Sequence, residues 1–260
     1  MTRVHVEVPR DGVLRLRLDG PDSLNALDDG AKDELIAGLE RAAADPTVRV
    51  VMLIGTGRAF CSGGDVKGMG NRTGPQTMAV LDKGRRITES MAGLSKPIVS
   101  AVNGLASGAG FNLALAGDIL VAHHSSWFQQ SFGRIGLVPD MGGTYFLARQ
   151  VGLYRAKELL LTGRRLSAEE AQSLGLVAHV WGDDFEAQAL DLCVKLADSA
   201  TVALGLTKVL TNRSVEGSLQ AALDREALAQ GVAASTHDHR TAVEAFCNGE
   251  DLAGVRFEGR

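Results

Sequence analysis

Two short glycine-containing segments hold the residues most able to do chemistry. Residues 59–66 read Ala-Phe-Cys-Ser-Gly-Gly-Asp-Val, and residues 101–113 read Ala-Val-Asn-Gly-Leu-Ala-Ser-Gly-Ala-Gly-Phe-Asn-Leu. Each contains or follows an apolar run that predicts a buried strand, and each places small residues where a helix should begin. Main-chain N–H groups are exposed at such turns, and two of them aimed at one point form an oxyanion hole. We therefore expect a site that stabilises negative charge developing on a substrate oxygen.

The pattern around these segments predicts alternating strands and helices that position them. Alternating apolar residues on both sides of Asp11-Gly12 predict a β-hairpin, and a helix capped by Asp28 or Asp29 should end near residue 46. A polar stretch over residues 68–75 comes after the first glycine segment. The further predicted elements are a strand at 48–55, a helix at 78–94, a strand at 98–102, a helix at 108–116 and a strand at 119–122. This alternation is typical of an α/β fold built from stacked βαβ-type units.

The chain changes character at about residue 199. Beyond it the sequence predicts amphipathic helices at 204–210, 218–230 and 241–246, without a convincing strand. We therefore divide the chain into a core over residues 1–198 and a C-terminal helical region over residues 199–260. Periodicity alone says only that these helices need an apolar partner.

Composition excludes several classes of function. The chain has 260 residues, of which 45% are hydrophobic, and a net charge of −4 that offers no basic field for nucleic acid. No segment reaches the roughly 18 uninterrupted apolar residues of a membrane span, and residues 1–20 carry charges throughout. Cys61, Cys193 and Cys247 lack the spacing of a disulfide framework or a zinc site. We expect a cytoplasmic protein that binds neither nucleic acid nor membrane.

The two glycine segments, in this order, resemble the paired oxyanion motifs of the crotonase (enoyl-CoA hydratase/isomerase) superfamily. The resemblance covers nearly the whole chain: it begins at residues 21–27, continues through residues 136–144 and 161–163, and ends at Ala245-Phe246. It implies a crotonase-like ββα spiral core and a C-terminal helical trimerisation region. It also implies a homotrimer or a dimer of trimers, an acyl-CoA thioester as substrate, and no separate cofactor or metal, because coenzyme A is part of the substrate.

The resemblance assigns roles to individual positions. The oxyanion N–H groups would be those of Gly64 and Ala109, although glycines there could simply tighten strand-to-helix turns. The family's acyl-CoA contacts fall on five positions: Ala26, Leu27, Asp65, Val66 and Lys67. Alternatively, Asp65 is a helix cap and Lys67 a solvated lysine.

The sequence differs from the hydratases of the family at the two positions of their catalytic glutamates. Hydratases use two glutamates to handle a water molecule, and the matching residues here are Asn112 and Phe132. Neither side chain can accept a proton at neutral pH, so both are interpreted as pocket-forming residues. Asp140 supplies an acid nearby, and residues 132–140 resemble the ring-epoxide isomerases of phenylacetyl-CoA breakdown and some Δ3,Δ2-enoyl-CoA isomerases. A double-bond shift can use a single base, although Asp140 could instead cap a helix over residues 142–150.

We therefore predict an acyl-CoA isomerase in which Asp140 moves the proton. The alternatives are an enoyl-CoA hydratase or another crotonase reaction, and a non-catalytic acyl-CoA-binding protein. A dinucleotide-binding site is disfavoured because Gly104, Gly108 and Gly110 are not followed by an acid about twenty residues on. The histidine pairs at 123–124 and at 237 and 239 are interpreted as surface or strand-end residues, and Cys61 as a packing residue.

Overall fold

The computed structural model describes residues 1–65, 70 and 73–260, so Val66 and Lys67 lie outside the described residues. The strands are β1 (Arg3–Arg10), β2 (Val13–Asp19), β3 (Val50–Gly55), β4 (Ala59–Cys61), β5 (Ile98–Val102), β6 (Leu105–Ser107), β7 (Ile119–His123), β8 (Trp127–Gln129), β9 (Arg165–Ser167) and β10 (His179–Trp181). The helices are α1 (Asp29–Ala44), α2 (Gly74–Gly93), α3 (Ala109–Leu115), α4 (Gly143–Val151), α5 (Leu153–Thr162), α6 (Ala168–Ser173), α7 (Phe185–Ala197), α8 (Thr201–Ser214), α9 (Leu219–Ala234) and α10 (His237–Cys247).

Two sheets organise the described part of the chain. The larger has the strand order β1-β2-β3-β5-β7-β10 and the smaller β4-β6-β8-β9. The predicted hairpin of β1 and β2 is antiparallel, and β2, β3, β5, β7 and β10 pair in parallel. Each of the pairs β3 with β4, β5 with β6, and β7 with β8 places its first strand in the large sheet and its second in the small one. Because α2 and α3 follow the first two pairs, the chain winds as a ββα spiral, which confirms the predicted fold class.

The centre of the large sheet, at β3 and β5, is buried on both faces. Val50, Met52 and Ile54 of β3 pack with α7, while Val51 and Leu53 face the larger cluster that includes α1 and α3. All six residues of β3 are buried, as the uninterrupted apolar run predicted. The large sheet therefore supports the short strands β4 and β6, which follow its strands β3 and β5 and lead into the glycine turns.

One predicted boundary is corrected. The polar stretch at 68–75 ends earlier than predicted, because α2 begins at Gly74 rather than near residue 78. Its N-terminus is a capping box in which the Thr73 hydroxyl accepts from the Gln76 N–H and the Gln76 side chain accepts from the Thr73 N–H, with Pro75 in the first turn. By contrast, α1 starts as predicted, with the Asp28 carboxylate accepting from the Ala31 N–H at 2.9 Å.

The C-terminal region is helical, as predicted, and its helices are longer than the predicted segments. The buried Lys208 fixes α8 to the core: its Nζ lies 2.9 Å from Asp118 Oδ2 and donates to the Met91 carbonyl at 2.7 Å. Helix α9 leaves apolar side chains exposed on this single chain, at Leu219, Leu223, Leu228 and Val232. The division at residue 199 and the trimer stay predictions. None of the helices in the described part is long and apolar enough to span a membrane.

Candidate active site

The two glycine turns lie side by side. Strands β4 and β6 are parallel neighbours, so the loop after Cys61 and the start of α3 emerge at the same edge of the small sheet. Gly110 packs directly on β4, because a Cβ atom there would lie 2.2 Å from the Cys61 carbonyl oxygen. A Cβ atom on Gly63 would lie 3.4 Å from the Ala109 nitrogen. Small residues are therefore required here for the two backbones to approach each other.

The local hydrogen bonds leave the predicted donors available. The Leu27 N–H donates to the Gly63 carbonyl at 2.8 Å, and the Asp65 N–H donates to the Leu27 carbonyl at 3.3 Å. This parallel bridge uses groups on either side of Gly64 and not the Gly64 N–H itself. Ala109 is the first residue of α3, so its N–H has no acceptor within the helix. The N–H groups of Gly64 and Ala109 thus take no part in the backbone hydrogen bonds of the bridge or of the helix.

The segment over residues 24–27 is fastened beside the first glycine turn. Asn25 is fully buried, adopts a left-handed φ of 57°, and donates from Nδ2 to the Ala59 carbonyl at 2.7 Å. Its Oδ1 accepts from the Gly20 N–H at 2.8 Å. These bonds hold Ala26, which is half-buried, and Leu27, which is buried, against Gly64 and Asp65. The structure therefore brings together the predicted contacts that it describes in this region.

Hydrogen bonds to the backbone carbonyl of Asp140 hold this residue at the site. Its carbonyl accepts two hydrogen bonds, from the Gly143 N–H at 2.9 Å and from Asn112 Nδ2 at 3.0 Å. Met141 and Gly142 then take left-handed φ angles of 45° and 77°, and α4 starts at Gly143. The alternative in which Asp140 caps this helix is wrong, because Gly142 occupies the cap position and no side chain caps it. The Asp140 carboxyl group is left for another role.

Asp140 is half-buried, and one oxygen of its carboxyl group is shielded from solvent. Its Oδ1 atom is buried and has no hydrogen-bond partner among the described residues. Burial raises the pKa of Asp140 above its usual value, and the positive charge of Lys32 on α1 partly opposes this shift. A carboxylate with a raised pKa and an unused oxygen is the form that a general base requires.

Asn112 and Phe132 shape the pocket next to Asp140. Asn112 is fully buried, and its Oδ1 accepts from Gln130 Nε2 at 2.8 Å. Gly143 packs directly on the Asn112 amide, since a Cβ atom there would lie 2.3 Å from Asn112 Nδ2. Phe132 lies in a short 3-10 turn with 8% of its surface exposed, and its Cζ would be 3.7 Å from a Cβ atom on Gly108. An amide and a phenyl group, neither of which can act as an acid or base, thus lie next to Asp140.

Two residues of this site escaped the sequence-based interpretation. Gln130, with 2% of its surface exposed, follows a short strand that was not predicted. Lys32, with 8% exposed, lies on the apolar face of α1 with Leu35 and Ile36. The sequence did contain a signal for Lys32, because a lysine at a position on the buried face of a helix is unusual.

The remaining candidate residues take structural positions. Cys61 is fully buried, and burial raises the pKa of its thiol to about 12, so it is not an activated nucleophile. His123 packs against His124 and Phe185 at one end of the large sheet. No group of three His, Cys, Asp or Glu side chains that could hold a metal ion occurs in the described part of the chain.

Fold and site together define a class of CoA-thioester enzymes, and comparison with known proteins gives the same answer. The family model described as enoyl-CoA hydratase/isomerase matches residues 9–253. The chain is 39% identical over 247 residues to the 1,2-epoxyphenylacetyl-CoA isomerase of Escherichia coli (strain K12), covering 93% of each. It is 39% identical over 238 residues to a probable enoyl-CoA hydratase of Rhodobacter capsulatus, covering 91% of each.

A solved structure agrees with this assignment. An enoyl-CoA hydratase from Bacillus anthracis superposes with a TM-score of 0.94 at 30% identity, covering 99% of this chain and 100% of that one. The protein belongs to the enoyl-CoA hydratase/isomerase family, the crotonases, whose members act on acyl-CoA thioesters.

Proposed function

We propose that this protein is an acyl-CoA isomerase that shifts a double bond, or opens a ring epoxide, in the acyl group of a CoA thioester. The observation that carries the proposal is the Oδ1 atom of Asp140, which is buried and has no partner among the described residues. Asn112 and Gly143 anchor the backbone of the same residue. Asp140 is then the base. Gly64 and Ala109 supply the N–H groups that hold the thioester oxygen.

The double-bond shift needs one proton and no water. The Asp140 carboxylate takes a proton from the carbon α to the thioester, and the electron pair moves onto the thioester oxygen to form a dienolate. The two N–H groups stabilise that negative charge, and the neutral Asp140 then returns the proton to the γ carbon. The product is the conjugated 2-enoyl thioester, and Asp140 is again a carboxylate.

The pocket argues against hydration. Adding water across a double bond requires groups that orient the water, take its proton and deliver a proton to the α carbon. Asn112 has both its amide groups engaged, with Gln130 and with the Asp140 carbonyl, and Phe132 has no ionisable group. A single carboxylate suits proton transfer between two carbons better than this two-acid task.

The names of the relatives support the same class of reaction and leave isomerisation or hydration for experiment to decide. The E. coli relative is named an isomerase of a ring-epoxide thioester, whereas the R. capsulatus relative is named a probable hydratase. The proposal further includes contacts to the acyl-CoA from Ala26, Leu27, Asp65, Val66 and Lys67, and a homotrimeric assembly that uses no separate cofactor. A protein that binds acyl-CoA without turning it over is the third outcome.

The test is a direct assay with a 3-enoyl-CoA, in which formation of the conjugated 2-enoyl thioester is followed by its ultraviolet absorbance. We expect fast conjugation by the wild type and a loss of at least about a hundredfold in kcat for Asp140→Asn, which is the usual contribution of a general base. Asp33→Asn is the matched control, because Asp33 is an exposed acid on α1 whose carboxylate pairs with Lys83. Hydration of a 2-enoyl-CoA at a comparable rate, or full activity of Asp140→Asn, would overturn the proposal.

A further inference from the structure

Gln130 is a buried glutamine whose side-chain amide is bonded at one end only. It has 2% of its surface exposed, and its Nε2 atom donates to Asn112 Oδ1 at 2.8 Å. Its Oε1 atom is buried and has no hydrogen-bond partner among the described residues. A buried acceptor without a donor costs free energy, so the stability of the fold alone does not account for a glutamine at this position.

The direction of the hydrogen bonds explains which end of Gln130 is left over. The Asp140 carbonyl can only accept, so Asn112 presents its NH2 group, and Nδ2 donates to that carbonyl at 3.0 Å. Asn112 Oδ1 then faces Gln130, and only the NH2 group of Gln130 can donate to it. If the Asn112 amide turned the other way, two oxygen atoms would face each other at Asp140. The unpartnered Oε1 atom is therefore the consequence of directing one donor at Asp140.

Packing keeps both amides in place. A Cβ atom on Gly143, at the start of α4, would lie 2.3 Å from both Nδ2 and Oδ1 of Asn112. A Cβ atom on Gly163, in the turn after α5, would lie 2.9 Å from the Gln130 carbonyl oxygen, and Gln129 Nε2 donates to the Gly163 carbonyl at 2.5 Å. Gln130 is thus fastened independently of Asp140 and can hold the Asn112 amide in one orientation.

Charged side chains approach these amides from three directions. Asp140 is joined to Asn112 through its own carbonyl, and the positive charge of Lys32 on α1 acts on the Asp140 carboxyl group. Arg134 Nε would lie 3.5 Å from a Cβ atom on Gly163, the residue that packs on the Gln130 backbone. The Asn112 and Gln130 side chains have no ionisable group, so the bond between them does not titrate in the wild type.

We propose that Gln130 is a positioning residue that keeps the Asn112 amide turned towards the Asp140 carbonyl and so holds Asp140 in place for proton transfer. This inference rests on the proposed function, in which Asp140 is the base. A base must lie within hydrogen-bond reach of the proton that it takes, and a displacement of about 1 Å can lower a rate about a hundredfold. Gln130 acts through Asn112 and need not touch the substrate.

The substitution Gln130→Glu makes this role depend on pH. The introduced carboxyl group has nearly the shape of the amide, and its protonated form can donate an O–H to Asn112 Oδ1. Its ionised form has no donor, so Asn112 must either face it with an oxygen or turn its NH2 group away from Asp140. The kcat of the variant relative to wild type should therefore fall at least about tenfold as pH rises and the introduced group loses its proton. KM should change less than about twofold, since Gly64 and Ala109 hold the thioester oxygen.

The sign of the pH dependence separates a lost donor from an added charge. A negative charge that only raised the pKa of Asp140 would slow the variant in acid and lose its effect at high pH. Gln130→Met removes the donor without adding a charge, so its kcat should be at least about tenfold lower than that of the wild type at every pH.

The experiment measures kcat and KM for conjugation of a 3-enoyl-CoA from about pH 5 to about pH 9, a range that includes the raised pKa values of buried glutamates. The proteins are wild type, Gln130→Glu, Gln130→Met and the matched control Gln150→Glu. Gln150 is an exposed glutamine of α4, so the control makes the same substitution on the surface. The control should follow the wild type at every pH.

A second measurement needs no turnover. In protein labelled with 15N at asparagine, NMR follows the side-chain amide of Asn112 against pH in Asp140→Asn and in Asp140→Asn/Gln130→Glu. Asn112→Leu identifies this resonance, and Asp140→Asn removes the titration of Asp140 itself. The resonance should shift with pH in the double variant and stay constant in Asp140→Asn, and the spectra also show that the variants are folded.

The outcomes distinguish this inference from the proposed function. A kcat that is lowered in Gln130→Met and restored in Gln130→Glu while the introduced group is protonated supports the role of Gln130. If Asp140→Asn is inactive while Gln130→Met keeps the wild-type kcat, or Gln130→Glu is slow at every pH, Asp140 is the base and the role of Gln130 is refuted. If Asp140→Asn retains full turnover, the proposed function fails. The NMR titration then decides whether residue 130 controls the Asn112 amide, and a resonance that does not shift in the double variant refutes that control.

Discussion

Replacing Asn112 by leucine tests how the pocket holds Asp140. The substitution keeps the branching and the number of heavy atoms of a fully buried side chain but removes two hydrogen bonds, from Gln130 Nε2 at 2.8 Å and to the Asp140 carbonyl at 3.0 Å. The Asp140 carbonyl keeps its bond from the Gly143 N–H at 2.9 Å. The Gln130 amide, whose Oε1 already has no partner among the described residues, loses the acceptor of its Nε2. The main cost is therefore an orphaned donor on Gln130.

The magnitude follows from that imbalance. An unsatisfied buried polar group costs about 1–3 kcal/mol, whereas replacing both partners of a buried hydrogen bond by apolar groups can be nearly neutral. We expect Asn112→Leu to lower the free energy of unfolding by about 1–3 kcal/mol. The double variant Asn112→Leu/Gln130→Leu should recover most of this loss, so that the two substitutions are not additive.

The assay is urea denaturation followed by circular dichroism at one fixed protein concentration, because the proposed trimer would make stability depend on concentration. The turnover of 3-enoyl-CoA is measured on the same samples. Both variants should lose activity even where stability is recovered, since Asp140 keeps only one of its two anchoring bonds. A double variant that is destabilised by the sum of the single effects would refute this reasoning, and a fully active one would refute the anchoring role of Asn112.

Three further predictions address the supports of the site. Gly110→Ala should lower both stability and kcat, because its Cβ atom would meet the Cys61 carbonyl oxygen at 2.2 Å and separate α3 from β4; denaturation and turnover measured together check this. Lys208→Met should cost about 1–3 kcal/mol at neutral pH, because it removes the cation beside the Asp118 carboxylate, whose side chain is 20% exposed and keeps its hydrogen bond from the Ile98 N–H. Burial raises the pKa of Asp118, so this penalty should grow as pH rises through that pKa and shrink in acid, where Asp118 takes a proton; unfolding measured at several pH values checks the sign. Thiol labelling of the native protein near pH 8 should modify the exposed Cys247 and spare Cys61, whose pKa burial raises to about 12, and rapid labelling of Cys61 would contradict its buried placement.

The elements with strong periodicity were predictable from the sequence. The hairpin about Asp11-Gly12, the cap at Asp28 and the strand at Ile98–Val102 are present as expected, because alternation, capping chemistry and uninterrupted apolar runs are local signals. The strands of the small sheet were harder to find. Strands β6, β8 and β9 have three residues each, too few for a period of two to stand out.

The candidate site was predictable as far as its backbone turns. The glycine segments identify where two chain turns meet, and the structure places Gly64 and Ala109 on neighbouring turns. The environment of Asp140 was not readable in the same way, because it depends on contacts between distant parts of the chain. Asn112 and Gln130 are 18 residues apart, and Asn112 and Asp140 are 28 apart.

The transfer of the proton by a single carboxylate is tested most directly with a 3-enoyl-CoA that carries deuterium on the α carbon. Turned over once by the wild-type protein, it should yield a conjugated 2-enoyl thioester with part of the deuterium on the γ carbon, because Asp140 carries the same hydrogen from one carbon to the other. Asp140→Asn should yield no such product. A 3-hydroxyacyl product from the wild type, or label transfer that persists in Asp140→Asn, would contradict the isomerase mechanism.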